Sequence, residues 1–143
     1  MPKLYVVAFD ARLPRWALEA RTEYLRRMPR GFEVQCLELK AQAAKRLRRR
    51  LAQGARLVAL DERGGGLSTA QFALQLERWR RAGDPVAFVI GGPDGLDAGF
   101  KREAALLLQL SALTLPHALA QVLLCEQLYR AATLLAGHPY HRG

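Results

Sequence analysis

Residues 86–96 read VAFVIGGPDGL, a continuous apolar run that ends in a glycine-rich turn. The five apolar residues are bounded by Pro85 and Gly91 and do not alternate with polar ones. A strand buried on both faces has this pattern, and such strands belong to parallel sheets that helices cover on both sides. The stretch therefore predicts a doubly buried strand of an α/β domain, followed by a tight turn.

The same kind of pattern predicts four more strands and five helices around this strand. The strands are expected at residues 3–9, 32–39, 56–60, 86–90 and 111–115. The helices are expected from Pro14, over 41–53, from Ser68 to near Gly83, over 97–109 and over 117–136. Alternation of strands and helices indicates one α/β domain over residues 1–143 with a mostly parallel sheet.

Local signals fix the ends and buried faces of some of these helices. Ser68 with Gln71 three residues later is the pattern of a capping box. In the first helix four residues recur every fourth position, which predicts that they share its buried face; they are Trp16, Ala20, Tyr24 and Met28. In the second helix the predicted inner residues are Ala43, Leu47 and Leu51.

The positive charge is confined to one part of the chain. Residues 1–60 contain 14 Lys and Arg against 5 Asp and Glu, whereas residues 61–143 contain 8 of each. The whole net charge of +9 therefore belongs to residues 1–60. This asymmetry favours a basic surface for a polyanion, nucleic acid first, although a merely solvated surface has the same composition.

Composition also excludes several classes of protein. Cys36 and Cys125 lie in no Cys-x-x-Cys pair, so we expect buried thiols in a reducing cytosol. No apolar stretch has the length needed to cross a bilayer, and the first residues do not resemble a signal peptide. No metal cluster, carboxylate pair or Ser/His/Asp set can be assembled from the sequence. We expect a soluble cytoplasmic protein that binds no metal.

Three loops lie where ligands bind in parallel sheets, beyond the carboxyl ends of strands. Gly91 and Gly92 allow close approach of the backbone to a ligand, but the GGPDG turn also suits a plain strand-to-helix connection. Residues 111–116 offer main-chain groups to an adenine edge, and equally resemble a core strand. The chain has neither a G-x-G-x-x-G nor a G-x-x-x-x-G-K-[ST] motif, which argues against Rossmann and P-loop chemistry.

The remaining chemical groups follow the last strand. The helix over 117–136 is apolar almost all round, which favours a homodimer that covers it. His117 after Pro116 either faces the site or merely occupies a first helical turn. The tail HPYHR at residues 138–142 suits stacking on a base and holding a phosphate, and it also fits an ordinary frayed terminus.

Six motifs together closely resemble one family. They are EYLRR at 23–27, FALQLERW at 72–79, IGGPDG at 90–95, LSALTLPH at 110–117, EQLYR at 126–130 and HPYHR at 138–142. In order and spacing the chain resembles the RlmH family of SPOUT-class methyltransferases from end to end. The resemblance implies a SPOUT fold, whose C-terminal deep trefoil knot would span about residues 86–137. It also implies a homodimer that uses S-adenosylmethionine to methylate N3 of a pseudouridine in large-subunit (23S) ribosomal RNA on the assembled ribosome.

The resemblance and the loop chemistry together give three sets of candidate residues. The expected cofactor-binding residues are Leu60, Gly91, Gly92, Ser111, Ala112, Leu113, Thr114, Leu115 and Pro116. The catalytic candidates are Arg130 for electrostatic stabilisation, His117 or His141 as base or orienting group, and Tyr140 for stacking. The RNA-binding candidates are Lys45, Arg46, Arg48, Arg49, Arg50 and Arg142.

Three departures from the family pattern are visible, and two alternative functions stay open. Asp10 stands where the family often has glycine, Gly65 stands where lysine is frequent, and the segment over residues 39–45 is shortened. The departures on the basic part leave the details of RNA docking open. The chain is alternatively a SPOUT enzyme that acts on transfer RNA, or a ribosome-assembly RNA-binding protein without methyl transfer.

Overall fold

The computed structural model describes residues 4–9, 12–52, 54–91, 95–96 and 98–137, without the side chains of residues 41 and 50–52. Its strands are β1 (Leu4–Phe9), β2 (Val34–Leu39), β3 (Arg56–Gly66), β4 (Val86–Ile90) and β5 (Leu106–Gln109). Its helices are α1 (Arg15–Arg26), α2 (Ala44–Ala52), α3 (Thr69–Ala82), α4 (Ala98–Glu103) and α5 (His117–Ala136). The strands form one sheet in the order β2-β1-β4-β3-β5, and their pairs are parallel.

Strand β4 is buried along its whole length, as its apolar run predicts. It lies between β1 and β3 in the middle of the sheet. Phe88 and Ile90 face the core layer under α1, α3 and α5. Ala87 and Val89 face the opposite layer, where Phe100 of α4 packs. The predicted α/β architecture is therefore confirmed, with helices on both faces of a parallel sheet.

The predicted helix ends are also confirmed for α3 and α5. Ser68 and Gln71 form both hydrogen bonds of the capping box. Gly83 and Gly137 end the two helices in the left-handed conformation that glycine adopts without strain. Helix α5 begins directly after Pro116, as its sequence indicates.

The predicted fifth strand over residues 111–115 is wrong. The strand is Leu106–Gln109, and the preceding helix ends at Glu103 instead of continuing to Gln109. Leu106 pairs with Val58 of β3. A short, fully apolar run has neither a helical nor a strand period, so only the partner strand decides its conformation.

Strand β3 is longer than predicted and is bulged. Leu60 and Gly65 both lie opposite Leu108 of β5, so the four residues between them leave the regular ladder. Residues 64–66, expected in a loop, belong to the strand. Gly64 approaches β5 so closely that a Cβ atom there would lie 2.6 Å from the carbonyl oxygen of Leu107. A bulge of this kind redirects side chains near a site.

The predicted buried faces of the first two helices are confirmed only in part. Tyr24, Met28 and Leu47 pack against the core, as predicted, but other members of the two sets do not. In α1 the buried residues are Ala17 and Arg21, whereas Trp16 is 54% exposed. The two most buried positions of α1 therefore lie one residue after the predicted ones, and the guanidinium of Arg21 is hydrogen-bonded to Gln121 and Glu38. In the second helix the first turn is 3-10, and Ala44 is buried instead of Ala43.

The two cysteines lie against each other in the core under α1 and α5. Cys125 is fully buried, as expected, but Cys36 is only partly buried. A hydrogen bond from the Cys125 thiol lowers the pKa of Cys36 to about 7, against the effect of burial. The same contact and burial raise the pKa of Cys125.

Candidate functional site

A cavity of about 510 Å³ opens at the carboxyl edge of the sheet. Its walls come from the bulge of β3, from the ends of β4 and β5, from the segment over 110–115 and from the first turn of α5. Seven of the residues predicted for the site line it: Leu60, Gly91, Ser111, Leu113, Thr114, Leu115 and His117. Ala112 and Pro116 are exposed neighbours outside the lining, and Gly92 lies outside the described residues.

The segment over 111–116 is irregular, which suits a binding loop better than a core strand. The described pairing of β5 ends at Gln109, so the main-chain groups that follow are not used in the sheet. The hydroxyl of Ser111 accepts a hydrogen bond from the backbone N–H of Leu113 at 2.9 Å. The side chain of Leu113 is 76% exposed at the cavity.

Glycine at position 91 is required by the packing of the turn on itself. A Cβ atom there would lie 2.5 Å from the backbone nitrogen of Leu96 and 2.6 Å from the carbonyl oxygen of Gly95. Gly95 has φ of +82°, in the left-handed region. The sequence suggests that Gly91 lacks a side chain so that a ligand can approach, whereas the structure shows its own loop filling that space.

Asp61 gives the cavity an anionic group, which the sequence marks by its place directly after the predicted third strand. Its side chain is 10% exposed and lies 3.2 Å from Nζ of Lys101. It accepts a hydrogen bond from the backbone N–H of Arg63 at 3.0 Å. That backbone hydrogen bond, followed by the ammonium of Lys101, lowers the pKa of Asp61, so the carboxylate stays ionised at neutral pH.

His117 is held between the turn after β4 and a buried polar chain. Its Nδ1 lies 2.8 Å from the carbonyl oxygen of Gly91, and its Nε2 lies 3.2 Å from Nε2 of Gln121. Arg21 donates from Nη1 to Oε1 of Gln121 and to Oε1 of Glu38, the latter at 3.0 Å. The sequence gives no signal for Arg21 here, because it lies 100 residues from Gln121.

Arg130, the other catalytic candidate among the described residues, is not brought to the cavity. Arg130 lies thirteen residues after His117 on α5, about 20 Å along the helix axis. Its Nε is 3.2 Å from a carboxylate oxygen of Glu126. Within one chain it therefore lies apart from the cavity. Tyr140, His141 and Arg142 lie outside the described residues.

Helix α2 presents part of the predicted basic surface. Lys45, Arg46 and Arg49 are exposed. The side chain of Arg48 is only 18% exposed, and its Nε lies 3.6 Å from a carboxylate oxygen of Glu103 in α4. This arginine therefore joins two helices, whereas the side chain of Arg50 lies outside the described part.

Among the described residues, no group of three or more His, Cys, Asp or Glu side chains is arranged to hold a metal ion. In the same part of the chain, no helix has both the length and the apolar character needed to span a membrane.

Comparison with known proteins identifies the fold. A family model described as "Predicted SPOUT methyltransferase" matches residues 3–141. The chain belongs to the SPOUT methyltransferase family. The parallel sheet and the cavity beyond its carboxyl edge are therefore the framework of a SPOUT enzyme.

Relatives of this SPOUT enzyme match it over nearly the full length of both chains. The ribosomal RNA large subunit methyltransferase H of Dechloromonas aromatica is 47% identical over 153 residues, covering 98% of each chain. The protein of the same name from Polynucleobacter asymbioticus is 44% identical over 145 residues, covering 98% of this chain and 99% of the relative.

Solved structures of low sequence identity have the same fold. A probable methyltransferase from Bordetella pertussis superposes with a TM-score of 0.63 at 15% identity, covering 92% of this chain and 95% of the other. An rRNA methyltransferase from Sinorhizobium meliloti, solved with AdoMet bound, gives 0.53 at 18% identity, covering 90% and 56%.

Proposed function

We propose that this SPOUT enzyme transfers a methyl group from S-adenosylmethionine to N3 of a pseudouridine in large-subunit ribosomal RNA. The observation that carries the proposal is the cavity at the carboxyl edge of the sheet, lined by Leu60, Gly91 and the segment over 111–115. The names of the full-length relatives support the RNA substrate. The AdoMet-bound structure of the same fold supports the cofactor.

The residues of the cavity fit S-adenosylmethionine. Its volume lies within the roughly 300–1,000 Å³ of small-molecule sites. Leu60 and Leu115 supply apolar surface for the faces of a purine. The irregular backbone that contains Ser111 offers unused donors and acceptors to the edge of that ring. The ionised carboxylate of Asp61 suits the hydroxyl or ammonium groups of the same molecule.

The cofactor supplies an electrophilic methyl group together with its own leaving group. The protein must therefore mainly position the base and help its N3 to lose a proton. If the N3 pKa lies about two units above the working pH, full ionisation costs about 2.7 kcal/mol. Arg130 as a nearby positive charge and His141 as a base would offset this cost, with Tyr140 stacking on the base.

We further propose that the enzyme works as a homodimer. Arg130 lies about 20 Å along α5 from His117, so it can serve a cavity only if that cavity belongs to another subunit. Leu119 and Leu134 of α5 are each 36% exposed, and a second copy would cover them. The C-terminal trefoil knot and a cytoplasmic location on assembled ribosomes belong to the same proposal.

Methyl transfer to different RNA substrates tests the function directly. Labelled S-adenosylmethionine is offered with whole ribosomes, free large subunits, protein-free 23S RNA and transfer RNA, and mass spectrometry locates the methyl group. Whole ribosomes should be methylated at a pseudouridine, and ribosomes that lack prior pseudouridylation serve as the matched substrate. Methylation of transfer RNA alone, or cofactor binding without transfer to any RNA, would contradict the proposal.

The basic helix α2 is proposed as the surface that docks on RNA. The double substitution Arg46→Ala and Arg49→Ala should weaken ribosome binding and lower its salt dependence by roughly one to two units of slope, with cofactor affinity unchanged. The control is Arg78→Ala with Arg81→Ala, which removes two exposed arginines from α3. Equal weakening by both pairs would show that only net charge matters, and would refute a docking role for α2.

A further inference from the structure

The hydrogen-bonding capacities of Arg21, Gln121 and His117 determine one another. A guanidinium only donates, so the oxygen of the Gln121 amide must be the atom that faces Arg21. The NH2 group of Gln121 then faces Nε2 of His117 and donates to it. A ring nitrogen that accepts a hydrogen bond has no proton, so the His117 proton is on Nδ1. That N–H donates to the carbonyl oxygen of Gly91 at 2.8 Å.

We propose that Arg21 and Gln121 are positioning residues of the cofactor site that act through His117. They hold its ring as the neutral tautomer with the proton on Nδ1, and that proton fixes the carbonyl group of Gly91 at the cavity. Both nitrogens of His117 are thereby engaged. The ring therefore orients the turn after β4 and is not the base that takes the proton from N3.

Burial explains why the Gln121 amide keeps one orientation. Gln121 is fully buried and the side chain of Arg21 is 11% exposed, so neither group can exchange its partner for bulk water. The carboxylate of Glu38 in β2 accepts from the same Nη1 and balances the buried charge of Arg21. Since a buried amide that lost these partners would remain unsatisfied, flipping Gln121 is costly. Hydrogen bonds thus connect helix α1 and strand β2 to the cofactor turn, which is the turn after β4 that begins at Gly91.

The tautomer itself can be observed by nitrogen NMR of the histidine ring. In the wild type, the Nε2 resonance of His117 should have the shift of an unprotonated nitrogen, with assignment by comparison with His117→Gln. Gln121→Glu keeps the size of the side chain and the pairing with Arg21, but it presents only acceptors to the ring. Nε2 should then become protonated. A wild-type Nε2 that is already protonated, or one that Gln121→Glu leaves unprotonated, would overturn the inference.

Cofactor affinity separates positioning from simple structural support. Gln121→Met should weaken S-adenosylmethionine binding about threefold to tenfold, as expected when a buried hydrogen bond no longer orders the site. Gln127→Met is the matched control on the same helix, since it removes the hydrogen bonds to Thr69 and Glu126 away from this cavity. The control should bind the cofactor within about twofold of the wild type.

The inference rests on the proposed function, and the titration keeps the two apart. A wild type that does not bind S-adenosylmethionine would refute the proposed function. A wild type that binds it, with Gln121→Met and Gln127→Met giving the same affinity, would refute only the positioning role. If Gln121→Met does not fold, the tautomer measured in the wild type and in Gln121→Glu still decides.

Discussion

Replacement of Gly91 by alanine tests whether the cofactor turn depends on its own close packing. The added Cβ atom would lie 2.5 Å from the nitrogen of Leu96 and 2.6 Å from the oxygen of Gly95, where ordinary contact begins at 3.4 Å. The carbonyl carbon of Gly95 would be nearer still, so the turn must open by about 0.8–1.0 Å, and it is backbone that has to move. A shift of this size would lengthen a 2.8 Å hydrogen bond from His117 beyond the limit for such bonds.

The cost of this shift can be estimated. Overpacking costs about 1–3 kcal/mol, and the upper end applies because no flexible side chain can yield. For a chain of this size we expect the melting temperature to fall by roughly 10 °C. Cofactor affinity should fall at least about tenfold, because the main-chain groups at the cavity move with the turn.

The matched control is Gly65→Ala. Gly65 lies within β3 opposite Leu108, but a Cβ atom there would meet nothing within 4 Å. Circular dichroism melts and calorimetric titration with S-adenosylmethionine are measured on both variants. If Gly91→Ala melts within about 2 °C of Gly65→Ala and binds the cofactor equally well, the argument from close packing is refuted.

Three other outcomes follow from burial and ionisation. The lowered pKa of Asp61 stabilises the fold at every pH above the ordinary pKa of 3.8, and this stabilisation is lost as the pH falls through the lowered value. The melting temperature of Asp61→Asn should therefore approach that of the wild type only in strong acid. A difference in melting temperature that stays constant down to about pH 2 would contradict this. In urea denaturation, Trp16→Ala should lower the free energy of unfolding by under about 1 kcal/mol, against about 3–5 kcal/mol for Trp79→Ala, because Trp79 is buried and Trp16 is exposed. Similar losses in the two variants would show that Trp16 packs against the core, as the sequence predicts. The rate at which iodoacetamide alkylates Cys36 should rise with pH with a midpoint near pH 7, while Cys125 in the native protein is not alkylated. A midpoint near the ordinary thiol pKa of 9.0 would show that contact with Cys125 does not lower the pKa of Cys36.

The parts of the fold that the sequence predicts correctly are those with a local cause. Strand β4 follows from five consecutive apolar residues, and α3 follows from the capping box of Ser68 and Gln71. Strand β5 has no such signal, because Leu106 and its neighbours are apolar without a period. Their conformation is decided by pairing with β3, which lies some 50 residues earlier in the chain.

The residues of the site likewise divide into those with a local sequence signal and those without one. Gly91 and the segment over 111–115 are predicted from the sequence because each lies next to a strand end or in a family motif. Arg21 is not, since its partners, the buried Gln121 and the exposed Glu38, come from other elements. A long-range polar contact has no periodicity along the chain. It is visible only after the helices have packed.

The case of Gly91 shows why a correct motif can suggest the wrong physical reason. The sequence associates this glycine with close approach of a ligand, whereas the structure shows that Gly95 and Leu96 occupy the space where its side chain would be. In the inferred tautomer, the carbonyl oxygen of the same residue accepts a hydrogen bond from Nδ1 of His117. One residue therefore closes the turn on itself and fixes the turn to α5. For this reason a substitution at position 91 should lower both stability and cofactor affinity. Gln121→Met should lower cofactor affinity more than its matched control Gln127→Met does.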